Sequence, residues 1–193
     1  LSKKRHLREA NNLVAYYFDS VEETKEEKLM ADIEQLLIGV PVQYVTRRAF
    51  FYNYKFIAEP GVLIPRPETE ELVHWVVTDH KNREAPFNVL DIGTGSGCII
   101  VSILKSLPMA NGTAVDINPD ALDLTRRNAE FLNVELELLN LDVLDEQSWF
   151  QLDQYDVIVC NPPYISQDEL SLMDDAVIAH EPASALFVHD SDP

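Results

Sequence analysis

Basic residues are in short supply. The 193-residue chain holds 15 Lys plus Arg against 33 Asp plus Glu, a formal charge of −18. Gripping a phosphate backbone takes a dense Lys/Arg face, so this balance counts against direct nucleic-acid binding. Long apolar runs are lacking as well. Stretches such as Cys98-Ile99-Ile100-Val101 end after a few residues, far short of a bilayer span. Cysteine is nearly absent. Cys98 opens an apolar helical run and Cys160 closes an apolar strand. Both are expected as buried small hydrophobes, with no structural disulfide and a reducing, cytoplasmic setting. The histidines (His6, His74, His80, His180 and His189) show no metal-ligand spacing with one another or with cysteine, so no metal is expected. No apolar stretch follows the basic first residues, so no signal peptide is expected. A chain that opens without Met and stops on Asp192-Pro193 reads as trimmed at both ends. What is there is ordinary globular material. At 46% apolar and 25% charged residues, wholesale disorder is excluded, and the length suits one domain, or one with a small appendage.

Residues 1–38 read as helical. Leu29, Ile33, Leu36 and Leu37 form one stripe, Glu22 to Lys28 its solvated side, and Gly39 and Pro41 stop it. Gln43-Tyr44-Val45 and Phe50–Ile57 are rich in aromatic and β-branched residues, which predicts a β-hairpin or two short strands. Pro67 suits a first helical position, with Glu68, Glu70 and Glu71 at the positive end of the helix dipole. Leu72, Val73, Val76 and Val77 give that helix its buried face. From Phe87 onward strand and helix alternate. Strands are expected at 88–91, 113–116, 135–139 and 156–160, with helices at 97–107 and from Pro119, capped by Asn118, to about Leu132. Repeated β-α-β units imply a mainly parallel sheet with helices on both faces.

Val89-Leu90-Asp91-Ile92-Gly93-Thr94-Gly95-Ser96-Gly97 is a strand entering a glycine-rich turn before a helix. Glycine permits positive φ and close approach of a ligand. Cys98 stands where a dinucleotide fingerprint needs its third glycine, so the turn departs from the pyrophosphate pattern, and it is not a P-loop either. Asp116 ends the second strand, where a carboxylate can accept from both hydroxyls of a ribose. Asp91, Gly93, Gly95 and Asp116 together suit a nucleoside without a pyrophosphate, such as S-adenosylmethionine. The blander alternatives are a tight ligand-free turn and a turn-capping carboxylate.

Asn161-Pro162-Pro163-Tyr164 follows the last strand. It is either a Pro-rich loop or a site for methyl transfer to a planar nitrogen. An amide nitrogen is a poor nucleophile because its lone pair is delocalised into the carbonyl. The Asn161 side-chain oxygen and the Pro162 carbonyl are two acceptors for its two N–H groups. Proline adds no competing donor and holds Asn161 extended. Tyr164 can lie on the flat face of the amide.

These motifs resemble the amino-methyltransferase branch of the class I S-adenosylmethionine enzymes, which includes DNA adenine-N6 enzymes. Alone, the two motifs leave the acceptor open. Gly61-Val62-Leu63-Ile64-Pro65-Arg66-Pro67-Glu68-Thr69-Glu70 closely resembles the hallmark of the HemK/PrmC protein-(glutamine-N5) methyltransferases. Gly39–Tyr44 and Glu181–Leu186 are similar to that family too. The resemblance implies methylation of the glutamine in the Gly-Gly-Gln motif of class I peptide release factors. It implies S-adenosylmethionine as donor and S-adenosylhomocysteine as product. The fold implied is an α/β, Rossmann-like catalytic domain at 65–193, lacking its last strands. An incomplete N-terminal helical docking module would occupy 1–40 and a β-hairpin linker 41–64. By the same matching, Asp91, Gly93, Thr94, Gly95, Ser96, Gly97 and Asp116 would hold the cofactor, with Asp142 and Val143 at the adenine and Asn161 shared. Asn161, Pro162, Pro163 and Tyr164 would grip the glutamine, and Arg66 and Glu68 would line or brace that pocket. The chain departs from the family at Val143, where bulky or aromatic residues are common, and at Arg47 and Asn53, where glycines are common. Its N-terminal helical region is also shorter. A ribosomal-protein glutamine and a nucleic-acid adenine stay open as acceptors. A monomer without membrane contact is expected.

Overall fold

The structure, a computed structural model, describes residues 2–21, 26–166, 168 and 175–188. Of the stretch Glu22–Lys28 expected to be solvated, residues 22–25 lie outside them, and Glu27 and Lys28 are exposed. Helices α1 (Ser2–Ser20) and α2 (Glu26–Leu37) pack with the short α3 (Val42–Thr46) around Tyr17, Val42 and Val45. The inward stripe of α2 differs from the expected one. Leu29 and Leu36 pack there, whereas Ile33 and Leu37 face solvent. Asp32 takes the inward place between the two leucines, because the Tyr17 hydroxyl donates to it at 2.7 Å and meets the cost of burying its charge.

Gln43-Tyr44-Val45, expected as strand, lies in α3. The β-branched run is overridden locally. The Thr46 hydroxyl bonds back to the Val42 carbonyl at 2.8 Å, and Arg47 closes the helix in a left-handed conformation (φ 57°). The hairpin follows as β1 (Arg48–Phe51) and β2 (Tyr54–Ile57), with Phe51 opposite Tyr54. Its two-residue turn puts Tyr52 and Asn53 at φ 46° and 67°, the mirror-image geometry that matches strand twist. Both family-glycine positions, Arg47 and Asn53, are thus left-handed here. Phe51 and Phe56 bury an edge-to-face pair against the main core. Asn128, fully buried, completes the free edge of β2. Its Oδ1 accepts from the Ile57 N–H at 2.6 Å, and its Nδ2 donates to the carbonyls of Ile57 (3.1 Å) and Ser96 (2.9 Å).

A 3₁₀ turn (Pro67–Thr69) leads into α4 (Glu70–His80), whose Val73 and Val76 are buried as expected. The remaining chain builds β3 (Phe87–Ile92), α5 (Cys98–Ser106), β4 (Ala110–Asp116), α6 (Pro119–Phe131), β5 (Glu137–Asn140) and β6 (Val157–Cys160). The strands form one parallel sheet in the order β5-β4-β3-β6. Helices α4, α5 and α6 share one core with Val89, Ala114 and Val159. On the opposite face, Leu90, Val115 and Leu141 pack with Val143, Leu152 and Tyr155. Right-handed crossovers that step β3 to β4 to β5 lay their helices on one face. The return to β6 crosses the other face as irregular chain with a 3₁₀ turn (Glu146–Gln151). That face is thin at β6, where Ile158 is 62% exposed and Cys160, expected to be buried, is exposed too. A last helix, α7 (Asp175–His180), precedes the Glu181–Leu186 segment. No helix among the described residues is long and apolar enough to cross a membrane.

Candidate active site

The four parallel strands end on one rim. Ile92 pairs with Val115 on one side and Cys160 on the other, so Gly93, Asp116 and Asn161 leave the sheet from neighbouring strands. The chain runs β3-β4-β5 in one direction and then jumps back past β3 to β6. The rim between β3 and β6 is therefore the switch point at which open α/β sheets form their crevice.

On the β3–β5 side, Gly93, Gly95 and Gly97 all have positive φ (69°, 57° and 77°). Two of them differ in purpose. A side chain on Gly93 would meet nothing within 4 Å, so the backbone there faces open space. A Cβ on Gly97 would come within 2.8 Å of Thr125 Cγ2, so this glycine serves the packing of α5 on α6. Asp91 is fully buried. Its Oδ2 accepts from the Thr94 hydroxyl at 2.8 Å, while its Oδ1 has no hydrogen-bond partner among the described residues. Burial pushes its pKa up to about 7; the Thr94 hydroxyl and the nearby Ile100 N–H oppose this, and the Asp116 charge adds to it. Thr94 and Ser96 are themselves buried, Thr94 against Asp91 and Ser96 with its carbonyl on Asn128. Asp116 takes the Gly95 N–H on Oδ2 and the Asn118 N–H on Oδ1, each at 2.9 Å. It is thus a turn-capping carboxylate, and each oxygen keeps a further lone pair for a ligand hydroxyl.

Asp142 stands exposed after β5, its Oδ1 accepting from the Leu144 N–H at 2.9 Å. Val143 is half-buried beneath it, and its carbonyl takes the Trp149 indole N–H at 2.8 Å. Ile117, not anticipated from the sequence, is 64% exposed directly after Asp116. The Asn140 amide pins both of their carbonyls at 2.9 Å, and the isoleucine offers an apolar face to a flat ring on that rim. A buried acceptor without a donor, an open glycine backbone and a half-buried carboxylate fit an ammonium group and a ribose diol. They do not suit a pyrophosphate, which the two carboxylates would repel. The site therefore fits S-adenosylmethionine.

On the β6 side, Asn161 is half-buried and its Nδ2 donates to the Thr69 hydroxyl at 3.4 Å. Pro162 is exposed, Pro163 half-buried, and Tyr164 is 73% exposed. Ile165 exchanges backbone hydrogen bonds with Leu186 and Val188 (both 3.1 Å), fastening the loop to the segment after α7. The cleft here, about 180 Å³, is lined by Arg66, Asn161, Pro162, Tyr164 and Leu186 among others. Arg66 reaches both oxygens of Glu181 at 2.8 Å. Glu68 stands exposed in the first turn after Pro67 and, like Pro163, is not among the residues that line this cleft. An acid in a first helical turn is favoured by the dipole with no ligand required. Thr69 and Glu181 carry contacts that the sequence reading did not assign. Thr69 lies inside the Pro65–Glu70 motif and Glu181 opens the Glu181–Leu186 motif, and nothing in either local pattern marks the partner.

Fold and site together define a class I, Rossmann-like methyltransferase domain, and the family described as Methyltransferase small domain matches residues 69–186. The Release factor glutamine methyltransferase of Bacteroides thetaiotaomicron is 42% identical over 169 residues, 88% of this chain and 59% of its own length. That of Lactococcus lactis subsp. lactis is 39% identical over 188 residues, 96% of this chain and 67% of its own. A SAM-dependent methyltransferase structure from Agrobacterium tumefaciens is 18% identical at a TM-score of 0.49, over 56% of this chain and 37% of that one. The chain belongs to the methyltransferase small-domain family and, within it, to the same family as these curated relatives. It spans about three fifths of the length of the first of them.

Proposed function

We propose that the chain carries the catalytic site of an S-adenosylmethionine-dependent methyltransferase acting on the side-chain amide (N5) of the Gly-Gly-Gln glutamine in class I peptide release factors. The observation that carries this reading is the placement of Asn161-Pro162 at the β6 end, across the switch point from the Gly93–Gly97 turn. The names of the curated relatives support the acceptor, and the charge of −18 counts against nucleic acid. When bound, S-adenosylmethionine supplies a methyl group on a positively charged sulfur. Asp91 Oδ1 takes the ligand ammonium, Asp116 the ribose hydroxyls, and Ile117, Asp142 and Val143 border the base. Asn161 Oδ1 and the Pro162 carbonyl accept the two N–H groups of the glutamine amide and draw electron density toward its nitrogen as positive charge develops there. Tyr164 covers the flat face of the amide. The amide proton turns acidic only once that charge has formed, so no strong base precedes attack; orientation and fixed dipoles carry the rate. The three-part division at 1–40, 41–64 and 65–193, a cytoplasmic location and a monomeric state belong to the same proposal.

Incubation with a donor carrying a tritiated methyl group, and separately a class I release factor, ribosomal protein or duplex DNA, tests the acceptor. Label on the release-factor glutamine is expected. Label in DNA alone overturns the reading.

A further inference from the structure

We propose that Glu181 is a positioning residue for the acceptor half of the site: it locks Arg66, and through the turn that Arg66 opens it holds Thr69 against the Asn161 carboxamide. The proposal rests on the methyl-transfer reading above and adds to it the element that sets the acceptor geometry.

Glu181 follows α7, and its side chain is 1% exposed. Its two oxygens meet Arg66 Nη2 at 2.8 Å each, and Oε2 also takes the Ile64 N–H at 3.4 Å. Those partners lie more than a hundred residues earlier in the chain, in the segment leading to the 3₁₀ turn. The same segment is held from below by the Tyr44 hydroxyl, which donates to the Val62 carbonyl at 2.8 Å. A buried ion pair contributes little net stability, since desolvating two charges offsets most of their attraction, and an apolar pair of similar size serves as well or better. What this pair supplies is a fixed geometry. From Arg66 the constraint passes through a single turn: the Thr69 N–H donates to the Arg66 carbonyl at 3.0 Å, and the Thr69 hydroxyl receives Asn161 Nδ2 at 3.4 Å. With Nδ2 engaged there, Oδ1 is the end of the carboxamide left for an incoming amide. Arg66, one-third exposed, is also a wall of the cleft that Asn161 lines. Glu181 touches neither reacting atom, yet it sits at the far end of an unbroken series of contacts that ends on the Asn161 carboxamide.

Glu181→Gln keeps the shape and one acceptor oxygen while removing the charge. Misplacing a reacting group by about 1 Å costs about 100-fold in rate. The expected result is therefore a kcat for glutamine methylation lower by about 10- to 100-fold, with the donor Kd within about twofold of the parent. The ¹⁵N–¹H signals of the Asn161 side-chain amide, identified by their loss in Asn161→Asp, should shift or broaden in Glu181→Gln with no acceptor present. The double variant Arg66→Met/Glu181→Leu controls for folding: its Tm should return to the parent value while kcat stays low. Parent-level kcat in the double variant, or unchanged kcat and unchanged Asn161 signals in Glu181→Gln, overturns the proposal. If the parent protein labels DNA and not the release factor, the acceptor reading fails alone. Glu181 is then scored on DNA methylation and on the Asn161 signals, which need no acceptor.

Discussion

The two halves of the proposed site are built differently. On the nucleoside side each contact closes over a short stretch of chain: Thr94 on Asp91, three residues apart, Asn118 on Asp116, two apart, and Gly95 on Asp116, 21 apart. A single β-α-β unit supplies them, mostly through backbone groups. On the acceptor side Asn161 meets Thr69 across 92 residues and Arg66 meets Glu181 across 115, entirely through side chains. The first half forms wherever the parallel unit folds. The second exists only once the chain before α4 and the chain after α7 have closed on each other. Damage remote from the chemistry should therefore fall on transfer before it falls on nucleoside binding.

The sharpest way to break this division is Asn161→Ala. Removing one oriented acceptor should lower the single-turnover transfer rate by about 100- to 1,000-fold, while calorimetry finds the donor Kd within about twofold. A Kd that weakens as much as the rate would show the halves to be one unit. Next in size is Asp91→Asn, which keeps the acceptor for Thr94 and loses the charge. Donor affinity should drop by roughly 10- to 100-fold, the value of a charge-assisted hydrogen bond. With the Asp91 pKa at about 7 against 3.8 unperturbed, a cationic donor selects the ionised form. Parent affinity should weaken as pH falls below about 7, and the variant should lose that dependence. Stability without ligand runs the other way. Because the folded pKa is raised, the folded protein keeps a proton that the unfolded chain gives up between about pH 4 and 7, so parent stability declines across that window. Asp91→Asn should then melt above the parent at pH 8, with the gap closing at pH 4. The smallest effect is expected from Gly97→Ala. A methyl group 2.8 Å from Thr125 at φ 77° should cost about 1–3 kcal/mol of stability by overpacking and strain, read as a lower Tm, with Asn161-dependent transfer intact in the molecules that remain folded.

The same division governs what could be read without coordinates. The strand–turn–helix at Val89–Gly97, the Asn118 cap and the Asn161–Tyr164 loop are local patterns, and each occupies its expected place. The hairpin was legible for the same reason. Misreadings came where tertiary partners outweigh propensity. Gln43-Tyr44-Val45 looks like a strand but lies in a helix, with Thr46 turned back on its own backbone. Asp32 displaces Ile33 from the inward stripe because Tyr17 reaches it. Cys160 looks buried because it ends an apolar strand, yet among the described residues β6 lies at the sheet edge and little covers its second face. Glu181 opens a recognisable motif, yet nothing in that motif marks its partner, an arginine on the other side of the fold.

The buried Asn128 carries a consequence for synthesis on the ribosome. It closes the free edge of β2 from 71 positions downstream. At roughly 5–20 residues per second, the hairpin leaves the exit tunnel roughly 4–14 seconds ahead of the side chain that completes it. Through that interval the core that Phe51 and Phe56 enter is incomplete, and the Ile57 amide and carbonyl have only water. The nascent protein is thus most exposed to chaperones, and to wrong strand partners, in the very segment that later joins the helical end to the sheet.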